Sequence, residues 1–404
     1  MIFSDLSLKT FGILVGSVAA LCAVQFFLDL RRLLRSINHH PGYGTLFSST
    51  TVFGNIFSTI PWVALGYNHS WRVKHAPFAE RGLDIISAVS FWPIPIRNMY
   101  IADVQAIKDI VWSRERFPKD LSQYAILNIF GDNIIASDGD EWKRYHKVVA
   151  RAFSEKNNRL VWETTTQIMI ELFDTVWTGK DEVVVDHAVN LTLPVALFVI
   201  GAAGEYSPHY RRAPVDVNHI KGFGHHIPWK DDAVIPPGHQ LTFKDALFIT
   251  SHDVFIKFLV PRWAMGFTKR FRRARLAFDE LQRYLTEMIQ ERKRSQLKAD
   301  NEDLFTSLLA ANDDENLLKD EVKLNDSELI GNIYMLMVAG HETTGHSLAF
   351  ALALLALYPD KQEELYQHIK RVLPDGRIPT YDDMSSLSYS SAVFNEALRM
   401  FPPV

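Results

Sequence analysis

The distribution of apolar positions changes character along the chain. Thr10 to Leu28 is an unbroken apolar run in which Gln25 is the strongly polar exception. At about 1.5 Å per residue it makes a helix roughly 28 Å long, close to the hydrocarbon thickness of a bilayer. Arg31, Arg32 and Arg35 follow it, whereas Lys9 precedes it and is offset by Asp5. That asymmetry predicts a membrane anchor with the following chain in the cytosol. A cleaved signal peptide fits less well, because the N-terminal flank is not clearly basic and the run is long. A buried core helix is the other alternative. Asn38-His39-His40-Pro41-Gly42 then stops the helix. Leu46 to Trp62 is apolar again but mixed with Thr, Ser and Gly. It reads as an interfacial segment rather than a second span.

Beyond about residue 65 short extended pieces alternate with long helical ones. Phe91 to Met99 is Pro-rich and aromatic, so strand or loop. Val104, Ile107, Ile110 and Val111 have helical spacing, and helices are predicted over 141–153 and 159–177. Five prolines between Ser207 and Gly238 predict a long loop. Helical pattern dominates from Leu241 to Leu297, and the acidic, polar stretch 298–325 reads as a linker or surface loop.

A long helix is predicted to follow. Asn325-Asp326-Ser327-Glu328 has a capping side chain with an acid three places on. Helical pattern then runs to Tyr358, ahead of Pro359. The helix is apolar on most faces, which predicts burial. Its middle nevertheless holds Gly340-His341-Glu342-Thr343-Thr344. Glycine costs about 1 kcal/mol there relative to alanine, and a buried carboxylate and hydroxyls need partners. Local rules broken together mark a functional site. His341-Glu342 resembles the start of a zinc-protease motif, but His346 stands one place too far on. At about 100° per residue it points roughly 140° from His341, so both cannot hold one metal on a regular helix.

Composition narrows the chemistry. The formal net charge of −4 over 404 residues gives no reason to expect a nucleic-acid partner. The basic run Lys269 to Arg275 reads as a solvated or membrane-facing helix side. No Walker loop occurs, and Gly42-Tyr43-Gly44 has Phe47 where a dinucleotide loop needs its third glycine. The single cysteine, Cys22, lies inside the first apolar run. It excludes intrachain disulfides and Cys-based zinc or iron–sulfur sites in these residues.

Three segments together resemble the cytochrome P450 family. Ala339-Gly340-His341-Glu342-Thr343-Thr344 is similar to its distal-helix signature. The resemblance implies that small Ala339 and Gly340 clear space for haem, that Thr343 hydrogen-bonds bound dioxygen, and that Glu342 relays protons. Glu396-Ala397-Leu398-Arg399, before Phe401-Pro402-Pro403, resembles the E-x-x-R segment, whose Glu396–Arg399 pair would be structural. Gly139 to His146 resembles the family's G-x-x-W-x-x-x-R helix, implying that Trp142 and His146 face a haem propionate. Histidine replaces the usual arginine there and lacks its fixed charge and fork. Lys143 or Arg144 would substitute only after rotation.

The fold expected is mainly α-helical with a small β-sheet near residues 80–120. It is a cytochrome P450 fold, incomplete at its C-terminus, with membrane anchor 1–36 and domain 37–404. The resemblance implies a haem b monooxygenase acting on a lipophilic substrate with dioxygen and electrons from an NADPH-dependent reductase, at the endoplasmic reticulum membrane. Substrate contacts are expected from 123–135, 193–249 and the helix near Val338. The family's cysteine loop lies downstream of E-x-x-R, so these 404 residues are expected to be inactive alone. The alternative is a non-catalytic, membrane-anchored remnant that binds partners or lipids.

Overall fold

A computed structural model describes residues 2–203, 221–222, 225–226, 235–295, 305, 308–309, 312 and 323–403. The chain divides into two compact units, Met1–Pro118 and Lys119–Val404.

The first unit opens with α1 (Ile2–Ser36). From Ile13 onward this helix is long and apolar enough to cross a membrane, and its apolar window is not packed inside the fold. It ends where Asn38 and His39 take positive φ, 49° and 54°, ahead of Pro41. A three-stranded sheet follows. β1 (Gly42–Thr45) runs parallel to β2 (Ile85–Ser90), which pairs antiparallel with β3 (Ile96–Ile101) from Ile85↔Ile101 to Ser90↔Ile96. β1 lies outside the region expected to hold the sheet. Gly42 permits that pairing, because a Cβ there would overlap the Ser87 carbonyl. His40 Nε2 meets the Ile85 carbonyl at 2.8 Å, and Ser87 donates to the His40 carbonyl. Between β1 and β2 lie α2 (Val52–Ile56), α3 (His69–Val73) and α4 (Ala76–Arg81); α5 (Val104–Trp112) follows β3, capped by Asp103. The apolar stretch 46–62 therefore forms turns around one short helix. Phe47 stacks there on Phe53 and Phe57 and meets Trp92 edge-on.

The second unit is helical. It contains α6 (Leu121–Tyr124), α7 (Gly139–Val149), α8 (Glu155–Glu171) and α9 (Val189–Ala203). A two-stranded ladder, β4 (Lys221–Gly222) with β5 (His225–His226), stands inside the predicted 207–238 loop, most of which lies outside the described residues. Then come α10 (Phe243–His252), α11 (Val254–Leu259), α12 (Lys269–Ser295), α13 (Asp326–Leu357), α14 (Pro359–Val372) and α15 (Ser388–Met400). One apolar core joins Tyr145, Phe198, Phe243, Phe278, Leu281, Tyr284, Leu329 and Tyr334. Each such side chain contributes about 1.5–3 kcal/mol on leaving water.

The stretch 298–325 corrects the linker expectation. Phe305, Leu308, Leu309 and Asn312 are helical and buried, and the first three belong to that core. Their i, i+3, i+4, i+7 spacing is the helical stripe, hidden among acidic neighbours.

α13 starts as its sequence signals. Asn325 accepts from Glu328 N, and Glu328 reaches back to Asn325 N. Three glycines let neighbouring segments approach it closely. A Cβ on Gly331 would stand 2.5 Å from the Gly131 carbonyl oxygen. One on Gly345 would stand 3.0 Å from Leu193 Cα, and one on Gly340 would stand 3.0 Å from Ile200 Cδ1. Gly131 itself, at φ 142°, lies against the Ser327 carbonyl.

Candidate functional site

The middle of α13 has two unlike sides. Met337, His341 and Gly345 are buried. Ala339 is exposed, and Leu336 and Thr343, which share its face, are partly so. Over one short stretch the helix thus presents a methyl group and a hydroxyl beside Leu336. Side chains there also donate to carbonyls one turn back. Thr343 Oγ1 donates to Ala339 O at 2.7 Å, Ser347 Oγ to Thr343 O at 2.8 Å, and the Nδ1 atoms of His341 and His346 lie 2.9 and 2.7 Å from Met337 O and Glu342 O. Such second donors weaken and bend a helix. Here they also fix where each side chain points.

Glu342, three residues beyond Ala339, sits at the edge of that face. With His341 it lines a cavity of about 590 Å³ bounded by Val189, Asn190 and Leu193 of α9 and by Lys244, Asp245 and Phe248 of α10. Its Oε1 is 3.7 Å from His341 Nε2, and its Oε2 is 3.6 Å from His346 Nδ1. Burial pushes the His341 imidazole below its ordinary value, against the pull of the Glu342 carboxylate. The clearance at Gly340 meets Ile200, so the immediate use of this glycine is close approach of α9 to α13.

Trp142 and His146 share one face of α7, stacked with ring centroids 4.6 Å apart. Lys143 binds Asp140 at 2.7 Å. Arg144 is unavailable as a replacement for the missing arginine. Its guanidinium forks onto both oxygens of Glu328 and also reaches the Lys323 carbonyl. Tyr145 donates to Glu328 Oε1 at 3.1 Å. Arg144 holds the Glu328 carboxyl below its ordinary value, and burial pushes the Tyr145 phenol up. The sequence pattern missed this cluster. Its signal was Glu328, whose capping role already placed a carboxylate at a half-buried helix start.

Glu396 and Arg399 pair on exposed α15 through two bonds of 2.7 and 2.6 Å. α15 buries only Ala397, and its Phe401 neighbour stacks on Phe350 of α13 at 4.5 Å. Cys22 is exposed on α1. Among the described residues no group of three or more His, Cys, Asp or Glu side chains could hold a metal ion.

Comparison with known proteins shows the family and the fold. Residues 236–404 match the family model "Cytochrome P450". Cytochrome P450 monooxygenase 124 of Postia placenta is 46% identical over 97% of this chain and 72% of its own length. A cytochrome P450 monooxygenase of Arthrobotrys oligospora is 25% identical over 84% of this chain, which spans 59% of that relative. The crystal structure of the cytochrome P450DA haem domain superposes with a TM-score of 0.63 at 20% identity, covering 83% of this chain and 66% of that one. The chain belongs to the cytochrome P450 family, in its fungal type, and its mainly helical fold with a small sheet is that of its structural neighbours.

The family implies haem b. The Ala339–Thr343 face fits such a group, because it offers a methyl and a partly exposed hydroxyl opposite the buried Met337, His341 and Gly345. No cysteine stands in the second unit to supply the proximal thiolate.

Proposed function

We propose that this chain is the distal part of a membrane-anchored haem-thiolate monooxygenase acting on a lipophilic substrate. The observation that carries the proposal is the middle of α13, where Ala339 and Thr343 are open on one face and Glu342, at the edge of that face, lines the cavity it shares with His341. When bound, haem supplies the activation of dioxygen and the insertion of one oxygen atom into substrate. The residues present do the rest. Ala339 keeps the helix face low enough for a flat ligand. Thr343 holds its hydroxyl hydrogen on Ala339 O and leaves its lone pairs outward as acceptors. Glu342, at the edge of the Ala339 face and on the cavity wall, delivers protons from that cavity to the reacting side. Trp142 and His146 hold a propionate, histidine by one hydrogen bond rather than a charged fork. Glu396 and Arg399 stiffen α15.

Leu127, Ile129, Ile134, Leu336 and Val338 are partly buried apolar side chains against the core and supply a lining suited to a lipophile. α1 is the anchor, and Arg31, Arg32 and Arg35 keep the remainder cytosolic at the endoplasmic reticulum, where a membrane-bound NADPH-dependent reductase supplies electrons. The domain boundary then falls near residue 36.

The test is to read the transcript past the Val404 codon and assay the encoded product with a reductase. Continuation into a cysteine loop, with Thr343→Ala consuming NADPH but losing about tenfold or more in product per electron, upholds the reading. A stop codon there leaves a non-catalytic anchored protein instead.

A further inference from the structure

His341 is the buried group for which the chemistry above has no use. It is 6% exposed, yet its ring is fully oriented. Nδ1 lies 2.9 Å from the Met337 carbonyl. A carbonyl only accepts, so Nδ1 carries the hydrogen, and the neutral ring presents a lone pair at Nε2. That lone pair faces Glu342 Oε1 at 3.7 Å. A lone pair set against a carboxylate is repulsive; one proton held between them turns the contact attractive.

We propose that His341 is a positioning residue for Glu342, sharing one proton with its carboxyl and refilling it from water in the cavity between α9, α10 and α13. The inference rests on the reading of Glu342 as the proton-delivering group. In the step, once Oε1 has closed from 3.7 Å to hydrogen-bond distance, the Nε2–H bond of the imidazolium breaks and an O–H bond forms at Glu342 Oε1. Nitrogen keeps the electron pair, and both groups become neutral. After Glu342 passes its proton on, a hydronium ion entering from solvent reprotonates Nε2 and leaves as water. The cavity is polar enough to admit that water, with Asn190, Lys244 and Asp245 in its wall. Other titratable groups also act on the pair. His346 lies on the far oxygen of Glu342, and Lys244, Asp245 and His252 face it from α10, while α9 contributes only the neutral Asn190. Burial disfavours the imidazolium, so the ring gives up its proton readily.

The experiment is nuclear magnetic resonance of the full chain, ring-labelled with nitrogen-15 at histidine and held in detergent. His341→Asn identifies the signal. The expected neutral ring is the Nδ1–H tautomer. Glu342→Gln removes the neighbouring charge and moves the His341 midpoint down by about one pH unit, about a tenfold loss of proton affinity. Glu342→Asp keeps the charge and restores most of that shift. An Nε2–H tautomer, or a midpoint that neither Glu342 variant moves, overturns the proposal. None of these readouts needs haem. Uncoupled rings in a product that oxygenates substrate would therefore sink the relay and leave the function standing.

Discussion

Glu328 does three jobs with one carboxylate. It closes the α13 capping box, accepts both prongs of Arg144, and accepts the Tyr145 hydroxyl. Its side chain is 11% exposed and that of Arg144 24%. Breaking a largely buried pair by removing one partner strands the other charge, typically at about 3 kcal/mol. Arg144→Ala is therefore expected to lower the urea midpoint by that equivalent, whereas Lys143→Ala, on an exposed pair with Asp140, changes it little. The pH dependence has a definite sign. Glu328 is depressed in the fold below its ordinary value of 4.5. Its contribution is complete above that value and is lost as pH falls through the lower folded value. Between pH 6 and pH 3.5 the Arg144→Ala midpoint should fall less steeply than that of the parent. Parallel curves would show that the pair is not the source. Glu280 makes a comparable buried set, accepting from Gln240 N at 3.1 Å and meeting His239 Nδ1 at 2.8 Å. It ties the start of α10 to α12.

At the scale of elements, α13 was the most legible part of the sequence, because cap, acid, apolar run and terminating proline all agreed on one helix. The polar break in its middle was legible as a candidate site for the same reason, since nothing local justified it. The use of the glycines was not. A glycine in a helix can admit a ligand or another backbone, and only the fold shows that Gly340 faces Ile200 and Gly345 faces Leu193. The helical residues Phe305, Leu308, Leu309 and Asn312 were hidden by acidic neighbours that made the average composition read as linker. Arg144 could not be placed either, because its partner lies far along the chain at Glu328. The glycines lead to an ordered prediction. A Cβ on Gly331 would strike the Gly131 and Asp132 backbone, which cannot swing away, whereas one on Gly340 would meet the tip of the Ile200 side chain. Gly331→Ala should destabilise by about 2–3 kcal/mol and Gly340→Ala by clearly less. Thermal midpoints of the two variants decide it, and the reverse order would show that α9 rather than the Gly131 turn is the rigid neighbour.

At the scale of the molecule, the one thiol and the segment able to cross a membrane coincide in α1. It carries the sole cysteine, exposed on a helix able to cross a bilayer. A chain starting at residue 37 should lose resistance to alkaline carbonate extraction, while the parent stays with the membrane pellet. Retention of the shortened chain would point instead to exposed apolar side chains of the second unit, such as Phe258, Trp263 and Phe267. The same placement bears on haem. A thiolate pushes electron density onto iron and gives reduced haem with carbon monoxide a distinctive absorption. Cys22 is the one thiol these 404 residues can offer, and it sits in the apolar run of α1, outside the unit that carries Ala339 and Thr343. Purified in detergent and given haem, the chain should therefore show no thiolate-type reduced carbon monoxide spectrum. Cys22→Ser should give a trace indistinguishable from it. A thiolate spectrum that vanishes in Cys22→Ser would mean that α1 leaves the membrane to ligate iron, and the anchor assignment would fall with it.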